Sequence, residues 1–248
     1  MSLDVIGVFK DAWRLWKRDH DLLIGVAGFF LFVPQLALKL FVAMPPDLPS
    51  PIDEAKFRAW LDAVESWSSQ YSLLVILFSL ITLFGSVAVF TLYLDPERPD
   101  ARRALVRALR LAPRFLLLTI LVAVPVQIGL LLLFLPGFYL QGRLLIALPA
   151  LVAEQPVGAG RSMAGSFALT RGHGMVLAGF ACITLLAGDL FSRPFMVLGR
   201  SLDGAPMANP VVAGLLDLAA AAGVTIALLG TILIQVALYR RLTSSRGI

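Results

Sequence analysis

The chain has 248 residues, of which 58% are hydrophobic and 15% charged, with a net charge of +5 and a mean hydropathy of +0.85. Counted with glycine and without tyrosine the apolar share is about 65%, against ~45–50% for soluble chains, and the charged share falls short of the usual ~25%. These figures exclude a disordered chain and a water-soluble globule, and they point to an all-α, polytopic transmembrane bundle.

The basic balance would suggest nucleic acid in a soluble protein. In a membrane protein it asks which side of the bilayer the charges occupy, and no nucleic-acid partner is expected. The single cysteine, Cys182, provides no disulfide framework.

The first predicted element is an amphipathic helix. Val5, Phe9, Ala12 and Trp16 share one face, opposite Lys10, Arg14 and Lys17. Such a helix beside a span lies in the membrane interface. The apolar run 22–44 follows and is too long for the core of a signal peptide. A bilayer core of ~30 Å needs about 20 apolar residues, so this is the first span.

Next comes an extended PPDLPSP segment and then Phe57, Trp60, Leu61, Val64 and Trp67 at helical spacing. Asp53 and Glu54 read as a helix start. This helix is expected on the outer leaflet, or as a lid. Further spans are read at 71–94, 115–135, 137–153, 175–198 and 211–238, giving six spans in three hairpins with interfacial amphipathic helices. Spans three and four are separated at Pro136-Gly137, where LPG is expected to form the hairpin turn.

The fourth span is the weakest. Its eight large apolar residues favour insertion by roughly 2–5 kcal/mol, and Arg143 opposes it by up to ~3 kcal/mol. It is expected to insert as partner of the third, with Arg143 facing protein. Fifteen basic residues fall on the side of both termini and four on the other, which places both ends in the cytoplasm.

Three segments beside spans resemble one another: AWRLWKRDHDLLI from Ala12, ALRLAPRFLLL from Ala108 and SFALTRGHGMVLA from Ser166. The chain thus reads as one integral membrane domain, 1–248, with repeat units 1–100, 101–157 and 158–248. Convergence is the competing explanation, because any such flank gathers Arg and Leu.

The run LPGFYLQGRLLIALPALVAEQPVGAGRSMAGSFALTRG, 135–172, resembles a signature of the YciC-like bacterial membrane proteins. The same signature occurs in the membrane domain attached to some glycerophosphodiester phosphodiesterases. LPG, the P-A-L-V-x-E ending at Glu154, the RS-x₄-F-x-L-T-R-G ending at Gly172, and F-x-x-A-W from Phe9 carry the resemblance. It implies a six-span membrane domain. It implies no phosphodiesterase activity, which belongs to a separate soluble barrel for which six spans leave no room, so no catalytic residue is carried over.

Charges within hydrocarbon are costly and often functional. Lys39, Arg143, Asp189 and Asp217 are all expected within about 14 Å of the outer surface. They form either an ionisable cluster for an ion or lipid headgroup, or a structural pair that satisfies Arg143 from an acid on span five or six. Arg193-Pro194 ending span five is a further reading, which would leave Asp189 interfacial. Glu154, Arg161 and Arg171 are candidates for a cytoplasmic headgroup site, and Arg161, Ser162, Thr170, Arg171 and His173 for a weak anion site with a helix N-terminus; the alternative is a charge pair between Glu154 and the basic helix.

The Arg-rich segment 98–114 suits anionic lipid at ~1 kcal/mol per residue, although topology alone also explains it. GAGRSMAG lacks the βαβ context of a dinucleotide fingerprint, the two histidines form no zinc motif, and no cofactor is expected. Ala219, Gly223 and Ala227 repeat at four-residue spacing, which suits close helix packing within the bundle or between protomers.

Membrane lipids are the expected partners. The expected role is a non-enzymatic scaffold or an accessory function in envelope lipid homeostasis. The alternatives are a small-molecule or lipid transporter and, with least support, an intramembrane enzyme.

Overall fold

The structure is a computed structural model that describes residues 4–51, 53–97, 100–132, 134–203 and 210–244; the side chains at 134, 185, 189, 196 and 199–203 lie outside the described set. Among the described residues every regular element is a helix, and six are long and apolar enough to cross a membrane.

The chain opens with α1 (Val5–Ala27), a π-helical turn (Gly28–Phe32) and α2 (Val33–Phe41), which form one helical stretch with a kink inside α1. Asp4 starts it by accepting a 3.0 Å hydrogen bond from the Gly7 N–H. The amphipathic segment and the first span are two helices that meet at a kink, where Asp19 leaves helical geometry (φ −123°, ψ 25°).

α3 (Glu54–Leu94) joins the outer-loop helix and the second span without interruption, and its cap is Asp53, which accepts from Lys56 N–H at 2.8 Å. At ~1.5 Å per residue this rod is about twice the thickness of a bilayer core, so its first half extends the span instead of forming a separate surface helix. The segment 42–51 is strapped along it: the Trp60 indole donates to the Pro46 carbonyl (3.1 Å) and the Trp67 indole to that of Ala43 (2.7 Å).

α4 (Ala101–Leu132) likewise fuses the Arg-rich helix with span three, passing through Pro113 and Pro125. α5 (Phe134–Leu144) and α6 (Ala147–Ala153) make up the fourth candidate span. The LPG motif is not the turn. α4 ends before it, and Pro136 and Gly137 lie in the first turns of α5, where a missing N–H costs little. Gly137 instead permits close packing, since a Cβ there would lie 2.5 Å from the Leu130 nitrogen.

α7 (Ala159–Leu169) is short. α8 (Gly174–Asp203) continues through Pro194, so Arg193-Pro194 does not end span five. α9 (Pro210–Ser244) packs on α8, α1, α2 and α3. Successive long helices form the hairpins α3–α4, α4–α5 and α8–α9 along the chain.

The core lies toward the end of the bundle where α1 and α4 begin and α3 and α9 end, here called the basic face. Leu23, Phe90, Phe115, Ile146, Phe180 and Leu238 are all at most 2% exposed there. Toward the other face large apolar side chains point outward, such as Leu73, Leu131 and Leu190, as expected of surfaces that meet lipid.

Candidate functional sites at the basic face and in the bundle

The fourth candidate span breaks between Leu144 and Ala147. Pro149 supplies the cause: it has no N–H to return to the fourth preceding carbonyl, and its ring crowds that group. Carbonyls at such a break need donors, and α7 brings them. Ser162, Ser166 and Thr170, four residues apart, share one helical face and are fully buried.

Ser162 Oγ donates to the Ala147 carbonyl at 2.5 Å, and Ser166 Oγ to the Arg143 carbonyl at 2.7 Å. Thr170 Oγ1 donates to the Ser166 carbonyl at 2.6 Å and lies 3.3 Å from that of Arg143. Ser162 and Thr170 therefore do not offer their hydroxyl protons to the expected anion site, because both hydroxyls are turned to backbone oxygens.

Arg143 sits at this break. Its Nη2 donates to the Phe167 carbonyl at 2.6 Å, and its guanidinium lies over the Phe167 and Tyr139 rings at 5.3 and 5.9 Å. A recess of about 250 Å³ beside it is lined by residues 172–176, the start of α8. Arg143 thus stands toward the basic face and not in an outer cluster with Asp217, and no ion pair among the described residues includes it.

Lys39 and Asp217 lie close enough to interact electrostatically, on two helices, α2 and α9, that pack together. The Asp189 side chain lies outside the described residues.

Glu154 does not pair with Arg161 or Arg171. It accepts a 2.9 Å hydrogen bond from the Tyr239 hydroxyl, while both arginines are exposed. The Tyr239 contact belongs to a polar network that sequence reading missed. Asp19, at the bend of α1, accepts from Arg18 (2.8 Å) and from the Tyr93 hydroxyl (3.0 Å). Arg240 donates to the Tyr93 carbonyl at 2.5 Å, and Arg107 binds both Asp95 and Glu97. Arg241 donates to Asp11 at 2.5 Å and to Asp4 at 3.3 Å, tying the start of α1 to the end of α9.

Six of these residues, Arg18, Asp19, Tyr93, Asp95, Tyr239 and Arg240, line a polar recess of about 730 Å³. One signal for it stood in the sequence: the Asp19-His20-Asp21 triplet, polar residues placed where an amphipathic helix meets a span.

Of the small residues in α9, Gly223 packs inside the bundle, where an added Cβ would lie 3.0 Å from the Phe191 carbonyl. Compared with protein-family models, with curated proteins and with solved structures, the chain matches none.

Proposed function

We propose that this chain is a multi-pass protein of the bacterial cytoplasmic membrane, with both ends cytoplasmic, that serves as a non-enzymatic scaffold or accessory protein in envelope lipid homeostasis. The observation that carries this reading is the clamp of α7 on the broken fourth helix. Transporters use the backbone groups freed at a helix break to coordinate substrate and ions. Here the carbonyls of Arg143 and Ala147 are already occupied by Ser166 and Ser162, which suits a static bundle. The asymmetry of basic residues supports the orientation, and the resemblance of 135–172 to YciC-like proteins supports the setting.

The test is identification of lipids and proteins that copurify in mild detergent, together with lipid profiling after deletion of the gene. The reading expects defined partners and an altered lipid composition; a bare protein and an unchanged lipid composition would overturn it.

A second reading, a lipid translocator, draws on the Lys39–Asp217 pair and the nearby π-helical turn, since π turns often mark functional sites. Lipid scrambling by the purified protein in vesicles, above the protein-free rate, would replace the scaffold reading with this one.

A further inference from the structure

Between the amphipathic part of α1 and the last half of α9 runs an almost wholly apolar groove of about 390 Å³. Phe9, Trp13 and Trp16 form one wall, and Ile226, Gly230 and Ile234 the other. Gly230 is its floor. A Cβ built there meets nothing within 4 Å, unlike Gly223 one helical repeat earlier, which is closed against α8. The stretch from Ile226 to Ile234 covers about 12 Å of helix, close to the ~15 Å depth of one hydrocarbon leaflet.

Lys10, Arg14 and Lys17 each follow a wall residue of α1 by one position, and all three are exposed. Lys17 stands 5.7 Å over the Trp13 ring and forms no ion pair among the described residues. An apolar slot of leaflet depth with cations beside its α1 wall is complementary to one amphiphile: an acyl chain bearing an anionic headgroup.

We propose that the α1–α9 groove is a binding site for one anionic phospholipid, its chain lying over Gly230 between Trp13 and Ile226 and its headgroup held by Lys10 and Lys17. This deepens the lipid-accessory reading and rests on it. The groove, and not the helix break or the Lys39–Asp217 pair, is where the lipid sits. Gly230 thereby takes a role distinct from the helix-packing stripe of Ala219, Gly223 and Ala227.

The test reconstitutes the full chain in vesicles of equal phosphatidylglycerol and phosphatidylcholine, extracts it in mild detergent and counts retained lipids by native mass spectrometry. Wild type is expected to hold one phosphatidylglycerol. Gly230→Leu, whose side chain enters open space, is expected to lower its occupancy about tenfold with an unchanged unfolding midpoint. Ile226→Trp, at an exposed position on the same wall, is a second block should the first variant misfold.

Lys10→Gln with Lys17→Gln is expected to keep occupancy while reducing the preference for phosphatidylglycerol about fivefold per lysine. Unchanged retention in both groove variants overturns the proposal, as does retention of the two lipids in the ratio supplied. A change from dimer to monomer in Gly230→Leu would assign the groove to a second copy of the chain and also overturn it. None of these outcomes decides between scaffold and translocator, which vesicle scrambling reads separately.

Discussion

The Ser166 hydroxyl donates a 2.7 Å hydrogen bond to the backbone carbonyl of Arg143, across the break in the fourth candidate span. The bond makes α7 a structural part of that span. Ser166→Ala removes a buried donor and strands its acceptor, a loss of about 1–3 kcal/mol. Ser162→Ala is expected to act similarly through Ala147. Ser166→Thr retains the hydroxyl and is expected to recover most of the loss. Thermal unfolding in detergent checks the series.

Among the described residues Arg143 reaches a carbonyl and two rings but no carboxylate. Arg143→Leu therefore leaves no acid stripped of its counter-charge. Its cost is expected near that of one hydrogen bond to a charged group, about 1.5–3 kcal/mol, and additive with Asp217→Asn. A double-mutant cycle on unfolding midpoints reads this; coupling above ~0.5 kcal/mol would mean that the two sites communicate.

Lys39 and Asp217 are expected to behave in the opposite way. Each single change, Lys39→Leu or Asp217→Leu, leaves a charge in the bundle short of its counter-charge, and the double change is expected to be milder than the sum of the two. The readout is the yield of folded protein from membranes and its unfolding midpoint.

Asp4 gives a pH dependence. Its carboxyl is held below the usual range, first by the Gly7 N–H and then by Arg241. A depressed folded value means that the stabilisation is complete above the ordinary carboxylate pKa of ~3.9 and is lost as pH falls through the folded value. Opening of the start of α1, read by hydrogen exchange, is expected to rise below about pH 4 in wild type. In Asp4→Asn, which still caps without titrating, that contribution disappears.

The helical class and six candidate spans were legible because apolar runs of bilayer length have few alternatives. The boundaries were less so. Pro136-Gly137 reads as a turn in isolation, but proline is tolerated in a first helical turn and the glycine serves the approach to Leu130. Arg143 was misplaced because depth was counted from Gly137 as the outer end of the span, whereas α5 starts at Phe134. The ladder of Ser162, Ser166 and Thr170 carried a readable four-residue spacing, but the acceptors of Ser162 and Ser166 lie on other helices and have no sequence signature. Tyr93 with Asp19 and Tyr239 with Glu154 are long-range pairs of the same kind.

The central claim is that residues 134–153, though broken and carrying an arginine, cross the membrane and close a six-span bundle. Single cysteines at Arg14, Glu97, Arg161 and Lys56, in a Cys182→Ser background, test it with an impermeant thiol reagent applied to sealed vesicles of known orientation. The account expects the first three to react only from the cytoplasmic side and the cysteine at position 56 only from the other. Reaction of positions 97 and 161 from opposite sides would show that the fourth span does not cross, and would contradict the account.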